Sequence, residues 1–155
     1  MKHVEFRKAA AEDVVYVADH IRRGDALEAE ATGITDLKMA LEASRRCSDY
    51  TWVALVEGVP VMVFGCGCPL LHDEGDVWAI GTDVCTKLPR EMLFYGRQKI
   101  REMLDIYPRL GNYCDARYRA SHRWLRKLGF KVLPPVPCGP KGAPFCKVFI
   151  SREDI

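Results

Sequence analysis

The sequence lacks an excess of either charge: 23 lysines and arginines stand against 21 aspartates and glutamates, a net of +2. A domain that binds nucleic acid electrostatically is expected to be more basic, so no specific nucleic-acid partner is anticipated. No apolar run nears the roughly 20 residues that span a bilayer, and no signal peptide precedes the first charged residues. A soluble cytoplasmic protein without a membrane partner is expected. A paired Cys-x-x-Cys is also missing. The seven cysteines (Cys47, Cys66, Cys68, Cys85, Cys114, Cys138 and Cys146) are an odd number scattered mostly through apolar segments. That pattern fits reduced core thiols and not a secreted disulfide framework. Cys66-Gly67-Cys68 places two thiols on one strand face with His72 not far beyond, but no second pair completes four zinc ligands, so no metal site is expected. Repeats are absent, and 155 residues, 48% of them apolar, suit one domain over 1–155 with a core that needs no staples.

What is present is a regular succession of strand and helix patterns. Residues 4–8 alternate like a short strand. Residues 11–23 read as a helix with Glu12 and Asp13 in its first turn and Val14, Val15, Ala18 and Ile21 on one face. Helical character continues over 25–31 until Gly33. A further helix starts at Thr35-Asp36, a good cap, and carries Leu37, Ala40 and Leu41 inward. Strands are expected at 51–56 and 59–68 around a Glu57-Gly58 turn, with Pro60 at a strand start or unpaired edge. A central strand follows at 76–84. Pro89 opens a long helix over 89–107 whose stripe is Met92, Leu93, Gly96, Ile100, Met103, Leu104 and Tyr107. A strand at 112–117, a helix, a strand at 130–133, a proline-rich loop at 134–142 and a last strand at 145–151 complete an α+β layout.

The helix between those late strands is the most specific segment. In residues 118–132, Ser121, Trp124, Leu125 and Leu128 share one face, while Arg119, Arg123, Arg126 and Lys127 take the other. Gly129 supplies the left-handed position that stops the helix, and the basic residues before it suit the helix's negative end. The Leu128-Gly129-Phe130 close, the Glu57-Gly58 hairpin and the strand–long helix unit over 76–107 together resemble the Gcn5-related N-acetyltransferase (GNAT) superfamily. The resemblance implies a six- to seven-stranded, mainly antiparallel sheet flanked by helices, with the strand at 76–84 central and the strand at 112–117 diverging from it. Two further motifs narrow it. Asp25-x-x-Glu28-Ala29-x-x-x-Gly33 and the run from Ser121-His122 to Leu128-Gly129 are similar to the internal virion protein family of T7-like bacteriophages.

In an active enzyme of the superfamily, acetyl-CoA lies where two central strands splay apart. A Gln/Arg-x-x-Gly-x-Gly/Ala turn offers backbone amides to its pyrophosphate. Glycine lets the backbone approach closely, and the helix dipole favours the anion. The corresponding cofactor residues here are Asp83, Val84, Thr86, Lys87 and Arg90, in a turn with no glycine before Gly96 and with one amide removed by Pro89. Either Lys87 and Arg90 supply charge to a weakly held acetyl-CoA, or they are ordinary surface residues, the plainer reading. The superfamily's general-acid tyrosine, four residues before the closing glycine, corresponds to Leu125. Tyr118 and Ser121, on the same face, are the candidate catalytic hydroxyls. The plainer reading makes Ser121 a cap and Tyr118 a packing residue, with His122 structural or exposed.

A base for an acceptor amine would come from Asp83 or Asp76, or from Asp25 and Glu28, three residues apart on one helix face. Such a pair more often holds an arginine, and Arg22 or Arg23 would serve. Two functions follow from the resemblance. One is a non-catalytic internal virion or assembly component, found in the host cytoplasm and packaged in the particle. It would meet other virion proteins through Arg119, Arg123, Arg126 and Lys127 or through the loop at 134–140. The other is an acetyl-CoA-dependent N-acetyltransferase acting on a small-molecule or protein amine.

Overall fold

In the computed structural model, residues 1–67 and 73–155 are described. The order is β1 (Glu5–Lys8), α1 (Ala11–Asp19), α2 (Arg23–Ala31), α3 (Leu37–Cys47), β2 (Ser48–Val56), β3 (Val59–Gly67) and β4 (Glu74–Gly81). It continues with α4 (Pro89–Ile106), β5 (Arg109–Asp115), α5 (Arg119–Leu128), β6 (Lys131–Val132), β7 (Val136–Cys138) and β8 (Ala143–Ser151). The strands form one sheet in the order β1-β2-β3-β4-β5-β8-β6, with β7 also paired to β8. Among the described residues only β4 and β5 run parallel; the other pairings are antiparallel. The expected α+β architecture is present, with β4 central and β5 leaving it.

Period-two alternation divides two cores between the faces of the sheet. Val53, Leu55 and Val63 pack with Val14, Val17 and Ala18 of α1 and Leu41 of α3. Ala54, Met62, Phe64, Leu110 and Ile150 pack on the other face with Ile100, Met103 and Leu104 of α4 and Leu128 of α5. Local signals fix the hinges between elements. Glu57 and Gly58 both have positive φ (52° and 78°), as a two-residue hairpin turn requires. The Asp36 carboxylate accepts from the Met39 amide at 3.1 Å to start α3. Pro89 stands at the first position of α4. Gly129 ends α5 at φ 108°, and the Phe130 amide then reaches the Leu125 carbonyl at 3.0 Å. Pro60 pairs with Leu55 beside a register shift, where its missing N–H does no harm.

Several boundaries move, each for a tertiary reason. The helix read over 11–23 stops at Asp19 because Ile21 bridges to Thr82 and the Arg22 amide donates to the Gly81 carbonyl at 3.0 Å. Its inward face is Asp13, Val14, Val17 and Ala18, and Val15 points outward. Asp13 is buried because Arg7 grips it at 2.6 and 2.9 Å and the Ala10 amide donates to it at 2.8 Å. β4 ends at Gly81, short of 84, because Asp83–Lys87 winds into a 3-10 helix. β5 runs over Arg109–Asp115 instead of 112–117, extended at its start by pairing with β8. The proline-rich stretch expected as loop contains β7, an eighth strand at the sheet's margin, where prolines are tolerated. Cys68 and His72, weighed above as zinc ligands, lie outside the described residues.

Candidate functional site: the wedge between two parting strands

β4 and β5 stay together for three residue pairs, Glu74–Arg109, Gly75–Leu110 and Asp76–Gly111. The Asn112 side-chain amide makes the last stitch, donating to the Val77 carbonyl at 2.7 Å. Beyond it β4 follows β3 while β5 follows β8, and a wedge opens. Each strand then turns unpaired N–H and C=O groups toward the gap, and buried groups of that kind need partners.

Helix α2 supplies those partners. On the β4 side, the Gly81 amide donates to Asp25 Oδ2 at 2.7 Å, and the Gly81 carbonyl accepts from the Arg22 amide. On the β5 side, the Asp115 amide donates to Glu28 Oε2 at 3.0 Å. The two carboxylates, three residues apart, therefore take one amide from each parting strand. Asp25 is buried and completes its shell with the Tyr118 hydroxyl at 2.7 Å and Arg22 Nε at 2.9 Å. Gly24 makes this seat possible: a Cβ there would stand 2.4 Å from the Tyr118 ring.

The candidate hydroxyls are divided by this arrangement. Tyr118 is the N-cap residue of α5, and its proton goes to Asp25. Burial, followed by the neighbouring Asp25, pushes its ionisation well above the ordinary phenol value. Ser121 does not cap α5; its Oγ lies 3.5 Å from the Cys114 sulfur, which is 3.3 Å from Glu28 Oε2. Burial raises the Cys114 thiol far above its usual range, with the Glu28 charge adding to it, so the sulfur stays protonated. His122 is buried and structural, its Nε2 2.9 Å from the Asp115 carbonyl. Thus Ser121 lines the wedge, Tyr118 is tied to its β4 wall, and the two do not converge on one point.

The cofactor turn follows from its own hydrogen bonds. The Cys85 amide reaches the Thr82 carbonyl and the Leu88 amide reaches the Cys85 carbonyl, both at 3.1 Å, so the 3-10 helix uses turn amides internally. Asp83, Val84, Thr86, Lys87 and Arg90 are all exposed. The buried residue of this 3-10 helix is Cys85, whose thiol donates to the Val61 carbonyl at 3.0 Å and is pushed by burial up to about 11. At the positive end of α4, where an anion would be favoured, sits the buried carboxylate of Glu91. It accepts from the Lys2 amide at 2.6 Å, and that bond holds its titration below the ordinary range. Asp76, the other base considered, is exposed on β4.

Sequence reasoning found the Asp25–Glu28 pair and the Arg22 partner but missed Asp115, Glu91 and Cys114. No local signal ties Glu28 to residues more than 80 positions away. Glu28 is also a titrating element of the site: burial raises its carboxyl above the usual range, only partly offset by the Asp115 amide. A raised folded-state value means that the folded protein binds the extra proton. Its stabilising contribution is complete below the unfolded value and is lost as pH rises through the folded one. Glu28→Gln is therefore expected to gain melting temperature relative to wild type as pH rises above the ordinary glutamate range, as scanning calorimetry would read. An offset that does not change with pH would refute the assignment.

A cavity of 320 Å³ occupies the rest of the wedge and reaches both faces of the sheet. No protein-family model matches the chain, and no curated protein does. Solved structures do. An acetyltransferase of the GNAT family from Streptococcus pneumoniae superposes with a TM-score of 0.64 at 12% identity, covering 96% of this chain and 99% of that one. The aminoglycoside acetyltransferase AAC(6')-Ib, in complex with ribostamycin and coenzyme A, gives 0.71 at 12% identity over 99% and 96%. YncA from Salmonella typhimurium, with its cofactor acetyl-CoA, gives 0.62 at 15% identity over 96% and 93%. The fold is the GNAT acyltransferase fold.

Proposed function

We infer that this chain is a GNAT-fold protein without acyl-transfer activity, which acts as an internal or assembly component of a bacteriophage particle. The observation that carries the first half is the seating of α2: Asp25 and Glu28 take the amides of Gly81 and Asp115. The glycine-free turn, the Glu91 carboxylate at the α4 terminus and the commitment of Tyr118 to Asp25 support the same reading. The phage assignment rests on the resemblance of the Asp25-to-Gly33 and Ser121-to-Gly129 motifs. The exposed Arg119, Arg123, Arg126 and Lys127 on α5 are the contact surface offered to other virion proteins. Mass spectrometry of purified particles of the encoding phage should recover the chain. Its absence from particles, together with acetyl transfer to any amine, would overturn the reading.

A second reading is an acetyl-CoA-dependent N-acetyltransferase with a small-molecule amine acceptor. The comparisons favour it over the first, since the similar structures are acetyltransferases, several solved with coenzyme A or acetyl-CoA and some with aminoglycosides. Their identity of 12–15% carries the fold and not the cofactor turn. On this reading Ser121, which lines the cavity, is the candidate hydroxyl, and Lys87 with Arg90 would attract the diphosphate.

A further inference from the structure

We propose that the wedge cavity is a binding site for a neutral, largely apolar small molecule bearing one hydrogen-bonding group, and not for a nucleotide thioester. Native interiors are close-packed, with few voids much larger than a water molecule. A cavity of 320 Å³ falls within the size range of ligand pockets. It is about twice the ~150 Å³ of an apolar cavity known to take benzene, which suggests a guest of about two rings or an equivalent chain.

The lining decides the chemistry. Its walls are aliphatic and aromatic, among them Met62, Phe64, Trp78, Ile100, Leu125 and Phe130. Most polar side chains that reach it already have hydrogen-bond partners within the protein, and Arg22, whose buried Nε makes no aligned hydrogen bond, is neutralised by its ion pair with Asp25. Asp25 and Glu28 hold the strand amides, and Glu91 holds the Lys2 amide. Asn112 holds Val77, Ser44 holds the Ala40 carbonyl, and Lys99 pairs with Glu102 while lying 4.4 Å above the Phe6 ring. A charged guest would find these groups engaged, and burying its charge without a partner is strongly unfavourable. A main-chain site on β4 is suited to a guest. In the register of β4 against β3, Thr82 bonds to Val61, so the odd-numbered residues of β4 turn their amide and carbonyl toward the wedge. Gly81 and Val77 are engaged there by α2 and Asn112, which leaves the N–H and C=O of Ala79 facing the cavity between them. A single amide, amine or hydroxyl on the guest would bind at that point. The site is independent of whether the protein works as a virion component.

The test is a fluorescence titration of the purified full chain with 2-naphthol, a neutral two-ring fluorophore with one hydroxyl. One saturable site per chain is expected, with affinity unchanged by added salt. Ala79→Trp fills the cavity from β4 and should weaken binding at least tenfold. Leu125→Trp fills it from α5 and carries the test if the first variant does not fold. Absence of saturable binding, or unchanged affinity in a folded filling variant, would overturn the proposal. Displacement of the probe by micromolar coenzyme A would likewise overturn it, giving the cavity to the thioester.

Discussion

Asp25→Ala is expected to destabilise the fold by about 4 kcal/mol, the scale for removing one partner of a buried charged pair. The carboxylate is buried and holds Gly81 N, the Tyr118 hydroxyl and Arg22, whose side chain is only 16% exposed. Without it the guanidinium loses its counter-charge, and two donors are left buried without their acceptor. Chemical denaturation of the variant measures the loss. A value under about 1 kcal/mol would match an exposed ion pair and show that α2 is not seated in the wedge.

Gly24→Ala should cost about 3 kcal/mol, although it deletes no hydrogen-bonding group. Its Cβ would come within 2.6 Å of three atoms of Tyr118, two in the ring and the hydroxyl oxygen. Either the tyrosine swings away and breaks its bond to Asp25, or α2 lifts from the sheet. Overpacking of this kind costs up to about 3 kcal/mol and offsets the better helix propensity of alanine. The double variant Gly24→Ala, Tyr118→Phe is expected to lose less than the sum of the single changes, because both act on one contact. Additive losses would mean that Gly24 matters for another reason.

The features legible in the sequence are those set by neighbours in the chain. Gly129, the Asp36 cap, Pro89 and Glu57-Gly58 each fix a local backbone conformation, and each is found where its chemistry requires. The boundaries at 20–22 and 82–87 were not legible, because the bridge from Ile21 to Thr82 joins residues far apart in sequence. A helical pattern alone runs through His20. The candidate site divides in the same way. Helical spacing placed Asp25 and Glu28 on one face with Arg22, but their strand partners depend on how the sheet opens. Tyr118 reads as a potential acid when only α5 is considered. Its partner is Asp25, 93 residues away, a contact that α5 alone does not disclose.

The proposed function requires that the wedge be held by the protein's own α2 carboxylates and that the turn after β4 not cradle a diphosphate. Calorimetric titration of acetyl-CoA into the purified wild-type chain tests it most directly. The predicted result is no saturable heat, with a Kd weaker than about 1 mM at physiological salt. Any residual low-salt affinity should vanish in the Lys87→Ala, Arg90→Ala double variant. Saturable binding at micromolar concentration, unchanged in that double variant, would contradict the account and return the wedge to the acetyltransferase reading.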